Sequence, residues 1–204
     1  MAYDSTSWTS DSKTTGGTSD TTTVISYSNA KYAYFGIGAQ EFSHISPDTH
    51  YPVPFVTNAV GSSTQQNNAT FGTSTDPSTS FTCADGDNHA SGLVTMLWYL
   101  PDKIYVDSVT SLEGAENDHS GGSLTTRMHL MSYTFSQSSN TLTSGALVAY
   151  SADVTNAGNE QVYKPTWTVS SPEVDADKAL LAFFRVDTSA EDFALTVTVK
   201  YHLI

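Results

Sequence analysis

Positions 193 to 203 alternate without a fault. Phe193, Leu195, Val197, Val199, Tyr201 and Leu203 take one parity, and Ala194, Thr196, Thr198, Lys200 and His202 take the other. A period of two rich in β-branched residues specifies a strand with one buried and one solvated face. Residues 31–38 repeat the pattern, with Tyr32 and Tyr34 set against Ala33, Phe35 and Ile37. Residues 92–100 (GLVTMLWYL) are apolar at both parities and stop at Pro101, which predicts a central strand covered on both faces. Residues 103–109 follow the turn pair Pro101-Asp102, so the two runs are expected to form a hairpin. Further runs fall at 124–135, 146–154, 161–170 and 180–187, with weaker ones at 24–27 and 80–84.

The connectors are rich in turn formers: Asp85-Gly86-Asp87-Asn88, residues 114–122, 136–145, 156–159 and 188–192. One segment reads as a helix start, Ser171 as the cap with Pro172 in the first position, long enough for a turn or two up to Lys178. About ten strands with almost no helix predict an all-β fold, an antiparallel β-sandwich of jelly-roll or Greek-key type. Residues 24–204 read as a single domain, with no internal repeat.

Residues 1–23 have a different character. They are Ser, Thr, Asp and Gly almost throughout, with Tyr3 and Trp8 the large apolar groups and Lys13 the single base. Such a segment cannot bury enough area to offset its own ordering entropy. It is expected to be a polar N-terminal arm, flexible or ordered by a partner, able to span about 80 Å when extended. If it anchors, Tyr3 and Trp8 are its grips.

Composition narrows the function classes. Asp and Glu number 21 against 8 Lys and Arg, a formal charge of −13. That charge repels phosphate backbones, and no basic cluster offsets it, so no nucleic-acid partner is expected. No apolar run approaches the roughly 18 residues a membrane helix needs, so membrane insertion is not expected. The first twenty residues lack the basic and apolar regions of a secretory signal, which predicts synthesis without export. Cys83 is the single cysteine, so no intrachain disulfide is possible.

Candidate chemistry is sparse. His44, His50, His89, His119, His129 and His202 show no metal-ligand spacing. His129 and His202 fall within predicted strands, where a solvated or hydrogen-bonded side chain is expected. His44 and His50 flank the turn Ser46-Pro47-Asp48. Asp85, Asp87 and His89 alternate like the start of a calcium loop, but the later bidentate Glu is missing. Glu113, Glu116 and Asp118 read as a second acidic loop. Turn chemistry and solubility explain both, so no metal or cofactor is expected. Ser, His and Asp occur too widely to mark a triad, no GxSxG elbow occurs, and no pair of acids has an apolar setting. The chain is therefore read as non-enzymatic. Among the aromatics, Tyr163 and Trp167 stand in poorly apolar surroundings and are the candidates for glycan stacking, although aromatics in a sandwich more often serve the core.

The Thr/Ser-rich leader, the missing secretory signal and the terminal FALTVTVKYHLI strand together resemble small virion proteins of tailed, marine bacteriophages. The resemblance covers the overall layout and residues 180–204 and includes no residue-level motif, so no functional residue is carried over. It implies a capsid decoration, cement or short head- or tail-fibre protein located on the virion. Its partners would be a major capsid or tail protein and further copies of itself, in trimers. The alternative is a receptor- or carbohydrate-binding β-sandwich module. A jelly-roll coat protein ranks lower, because shells that package nucleic acid usually carry a basic arm.

Overall fold

The computed structural model describes residues 32–36, 40–42, 47–53, 72–82, 97–115, 124–135, 138–156, 161–187 and 193–204. The arm at 1–23, with Tyr3 and Trp8, lies outside them, as do the run at 24–27, Cys83, Asp85, Asp87, His89, Glu116 and Asp118. Fourteen strands occur among the described residues, and no helix.

Two antiparallel sheets pack face to face. The centre of the first is the pair β6 (Ile104–Ala115) and β14 (Phe193–Leu203), aligned from Ala115–Phe193 to Ile104–Leu203. β1 (Ala33–Gly36) and β2 (Gln40–Phe42) share the outer edge of β14, while β10 (Gln161–Tyr163) and β12 (Glu173–Val174) share that of β6. In the second sheet β7 (Leu124–Phe135) lies between β13 (Lys178–Val186) and β8 (Thr141–Ser151). β3 (Tyr51–Val53) and β5 (Trp98–Leu100) flank β13, β4 (Phe81–Thr82) and β11 (Trp167–Val169) flank β8, and β9 (Val154–Asn156) pairs with the start of β7. From β9 onward each strand crosses to the opposite sheet. Such crossings distinguish Greek-key and jelly-roll sandwiches from simple meanders. The expected β-sandwich is the observed one.

The alternation in β14 places Leu195, Val197 and Val199, all fully buried, against Leu180, Ala182, Phe184 and Val186 of β13 and Met128 and Leu130 of β7. This is the core between the sheets. The other parity of β7 and β13 builds a second core on the outside of the second sheet, from Met131, Tyr133, Leu181 and Phe183 with Phe81 and Leu142. Residues 72–82 run over this outer face as a strap. Ser78 O accepts from the Tyr133 hydroxyl at 2.7 Å, and Thr79 O accepts from Gly145 N at 2.8 Å. A Cβ at Gly145 would stand 2.7 Å from the Tyr133 ring and 2.8 Å from Thr79 Cα, so only glycine lets the strap lie this close.

Four local expectations are corrected. The expected hairpin of 92–100 with 103–109 is not formed by the described residues: Trp98–Leu100 pairs with β13 in the second sheet and β6 with β14 in the first, and 92–96 lie outside the described residues. Pro101 and Asp102 turn the chain from one sheet to the other, so that Leu100 and Ile104 both enter the core between them. Among the described residues, Trp98–Leu100 flanks β13 on one side and is not a central strand. The helix expected at 171–178 is absent, since Val174 is the segment's one buried apolar side chain and no stripe exists for a helix to bury. Instead Pro172 O accepts from Val106 N at 2.8 Å and β12 joins the sheet. The connector expected at 136–145 is strand from Thr141 onward, because Leu142 fills the second core.

Candidate binding face

The outward parity of β14 and β6 forms one face of the first sheet. Tyr34 stands opposite Lys200, Thr198 opposite Thr110, Thr196 opposite Leu112, and Ala194 and Val162 on either side of Gly114. Directly opposed residues share a side of the sheet, so these positions all point away from the core. Tyr34 is 68% exposed and Val162 73%, with Leu112 also exposed.

At one end the face becomes aromatic. His202 is registered against Tyr105, and Tyr105 against Glu173. The His202 ring lies 5.1 Å from that of Tyr105 and meets Tyr32 edge-on at 5.7 Å. Tyr32 is 51% exposed, and Lys200 Nζ sits 3.8 Å above its ring centre, a cation–π geometry. The ladder slips between Lys200 and Tyr201, leaving Asp107 without an opposite number on β14. This bulge turns the carboxylate toward His202, whose Nδ1 lies 3.0 Å from Asp107 Oδ2. Beyond the row, Lys103 pairs with Glu173 at 2.8 Å and Asp175 at 3.6 Å. The result is a row of rings edged by a cation and a carboxylate, able to stack on a flat apolar surface and to exchange hydrogen bonds at its border.

Tyr163 and Trp167 lie elsewhere. Tyr163, on β10, is opposite the buried Glu113 and therefore faces inward, half-buried, its hydroxyl donating to Gln161 Oε1 at 2.8 Å. Trp167, on β11 of the other sheet, packs against the core and donates from Nε1 to Ser111 Oγ at 2.8 Å. The structure does not bring the two onto one exposed face. The outward row of Tyr32, Tyr105, Asp107, Lys200 and His202 was not singled out from sequence as one site. Its signal was the second parity of β14, where Lys200 and His202 interrupt a series of Ala and Thr.

Glu113 belongs to no acidic loop. It lies on the inner face of β6, fully buried, and accepts a hydrogen bond from Thr126 Oγ1 at 2.6 Å. Burial pushes its carboxyl up to about 7, although the Thr126 hydroxyl pulls the other way. Among the described residues no group of three or more His, Cys, Asp and Glu side chains is arranged to hold a metal ion. Comparison with protein families finds no match for this chain, and comparison with curated proteins finds none either.

Proposed function

We propose that this chain is a non-enzymatic structural protein of the capsid-decoration, cement or short-fibre kind, attached to the outside of a phage virion as a homo-oligomer. The observation that carries this reading is the outer face of the first sheet, with Tyr32, Tyr34, Leu112 and Val162 exposed on it. An open sheet face with scattered apolar and aromatic groups suits a protein–protein contact better than it suits enclosure of a small molecule. The arm at 1–23 supplies a second attachment, and several copies joined in an oligomer, of trimer symmetry in this reading, convert modest contacts into tight binding. The charge of −13 keeps the outward surface from adhering to nucleic acid.

Co-sedimentation with particles stripped of the protein tests this directly. The full chain is expected to pellet with them. The chain lacking residues 1–23, and separately Tyr32→Ala/Tyr34→Ala, are expected to remain folded oligomers and to lose at least tenfold in affinity. Undiminished binding by both variants contradicts the proposal.

A second reading is favoured by the Tyr32–His202–Tyr105 row: a carbohydrate-binding module whose rings stack on the apolar face of a sugar. A glycan array separates the two readings. Binding abolished by Tyr105→Ala but retained by Trp167→Phe supports the sugar site, and no glycan bound by the intact chain excludes it.

A further inference from the structure

The strap at 72–82 begins on a buried pair of imidazoles. His50 and His129 are both 0% exposed, with ring centres 5.1 Å apart. Gly72, where the strap starts, accepts from His50 N at 3.0 Å and lies 3.2 Å from His50 Nδ1. A carbonyl can only accept, so Nδ1 carries the proton and Nε2 is left with a lone pair. Among the described residues, His50 Nε2, both ring nitrogens of His129 and Arg185 Nε have no hydrogen-bond partner. Asp76, in the middle of the strap, brings Oδ1 to 3.6 Å from His129 Nε2.

Two guanidiniums and three carboxylates stand around the pair. Arg185 of β13 bonds Asp48, and Arg127 of β7 lies 3.4 Å from Asp153 with its guanidinium 5.0 Å over the Tyr150 ring. Asp76 is the carboxylate contributed by the strap. Both imidazoles are held neutral. Burial lowers His50 foremost, opposed by the Gly72 carbonyl and assisted by Arg185. Burial also pushes His129 down to about 3, with His50, Arg127 and Arg185 adding to the effect.

We infer that residues 72–80 form an acid-released latch, in which protonation of His50 and His129 detaches this part of the strap from the second sheet and uncovers Tyr133 beneath it. The latch is lightly made. Residues 73–76, 79 and 80 are exposed, and an open hollow of about 510 Å³ runs along 74–80. Its anchors are the Gly72–His50, Ser78–Tyr133 and Thr79–Gly145 hydrogen bonds and the buried Pro77, and at its far end Phe81 and Thr82 are held as β4 against Leu142 and Thr141 of β8, so the part free to lift is 72–80. Beneath it lies Tyr133, continuous with Met131, Leu181 and Phe183 in the second core.

The sign follows from linkage. A histidine whose closed-state pKa is depressed binds its proton more readily in the open state, near 6.5, so falling pH favours opening. Through His129 alone the open:closed ratio rises about 25-fold between pH 7 and pH 5, and His50 adds to this. Glu113, between the sheets, acts in the opposite sense, so the sandwich keeps its packing where the strap lets go. The inference concerns regulation and stands apart from the identity of any partner.

Pulsed hydrogen exchange of the full chain from pH 7.5 to 4.5, corrected for the intrinsic rate, tests it. Peptides covering 72–80 are expected to lose at least tenfold in protection between pH 7 and 5, while those covering β13 and β14 keep theirs. In His50→Gln/His129→Gln the strap is expected to stay protected over that range. Loss of protection in the strap and β14 together, retention of the strap down to pH 4.5, or release of the variant at the wild-type pH overturns the latch. Should that variant fail to fold, the imidazole carbon-bound proton resonances of the wild type decide. Both rings are expected to stay neutral until the strap opens, and protonation of either above pH 5 with the strap still protected contradicts the inference.

Discussion

Glu113 shows what one polar residue at a core position does. Its side chain takes the inward parity of β6, where Val109 and Ser111 also point, and nothing in the string SLEGA distinguishes it from a loop acid. The covering strands come from 13 or more residues away, and burial is a property of that assembly. Its titration has a definite direction. The folded carboxyl, raised from 4.5 to about 7, contributes stability that is fully present below pH 4.5 and is lost as pH rises through 7. The loss is about 3 kcal/mol by linkage, an order-of-magnitude figure. Urea unfolding of Glu113→Gln is expected to lack this decline, so that the variant gains on the wild type from pH 5 to pH 8. An equal pH dependence in both proteins would contradict a buried, neutral Glu113. Trp167 makes a second test. Trp167→Phe removes the donor to Ser111 and is expected to cost about 1 to 2 kcal/mol in the same assay while leaving any surface binding unchanged.

Among the elements, legibility followed periodicity. β14 could be read from its alternation because one of its faces is solvated, and β7 because its run is long and bounded by turn formers. What could not be read was which strand each would pair with. The hairpin at 101–102 failed for that reason: Pro-Asp marks a change of direction and is silent on whether the chain returns in the same sheet. The outward row is hidden similarly, because Tyr32 comes from just before β1, Tyr105 from β6 and Glu173 from β12, and only the fold joins them. Glycine at 145 carries meaning at this scale as well. Gly145→Ala is expected to push the strap off Tyr133, costing about 1 to 3 kcal/mol and raising hydrogen exchange in 72–82 more than in β14. Equal exchange in the two segments would mean that the strap does not rest on Gly145. Phe184→Ala, in the core between the sheets, is expected to cost about 3 to 5 kcal/mol by chemical denaturation and to lower protection throughout.

Over the whole molecule the sandwich is built in layers. The space between the sheets holds the main core, the outside of the second sheet is partly covered by the strap, and the outside of the first presents Tyr34 and the ring row. The acidic composition, the Ser/Thr-rich surface and the all-β pattern were legible in the sequence, and they pointed to a protein that works through contact. Which outer face is left open for the proposed contact was not, since that depends on the strap lying over part of the second sheet's outer side. Hydroxyl-radical footprinting of the protein free and bound to particles tests the binding face most directly. The account predicts strong protection of Tyr32, Tyr34 and Tyr105 on binding, with Tyr99 and Phe135 of the second sheet oxidised as before. Unchanged oxidation of the three tyrosines, with protection moving to Tyr99 and Phe135, would contradict it.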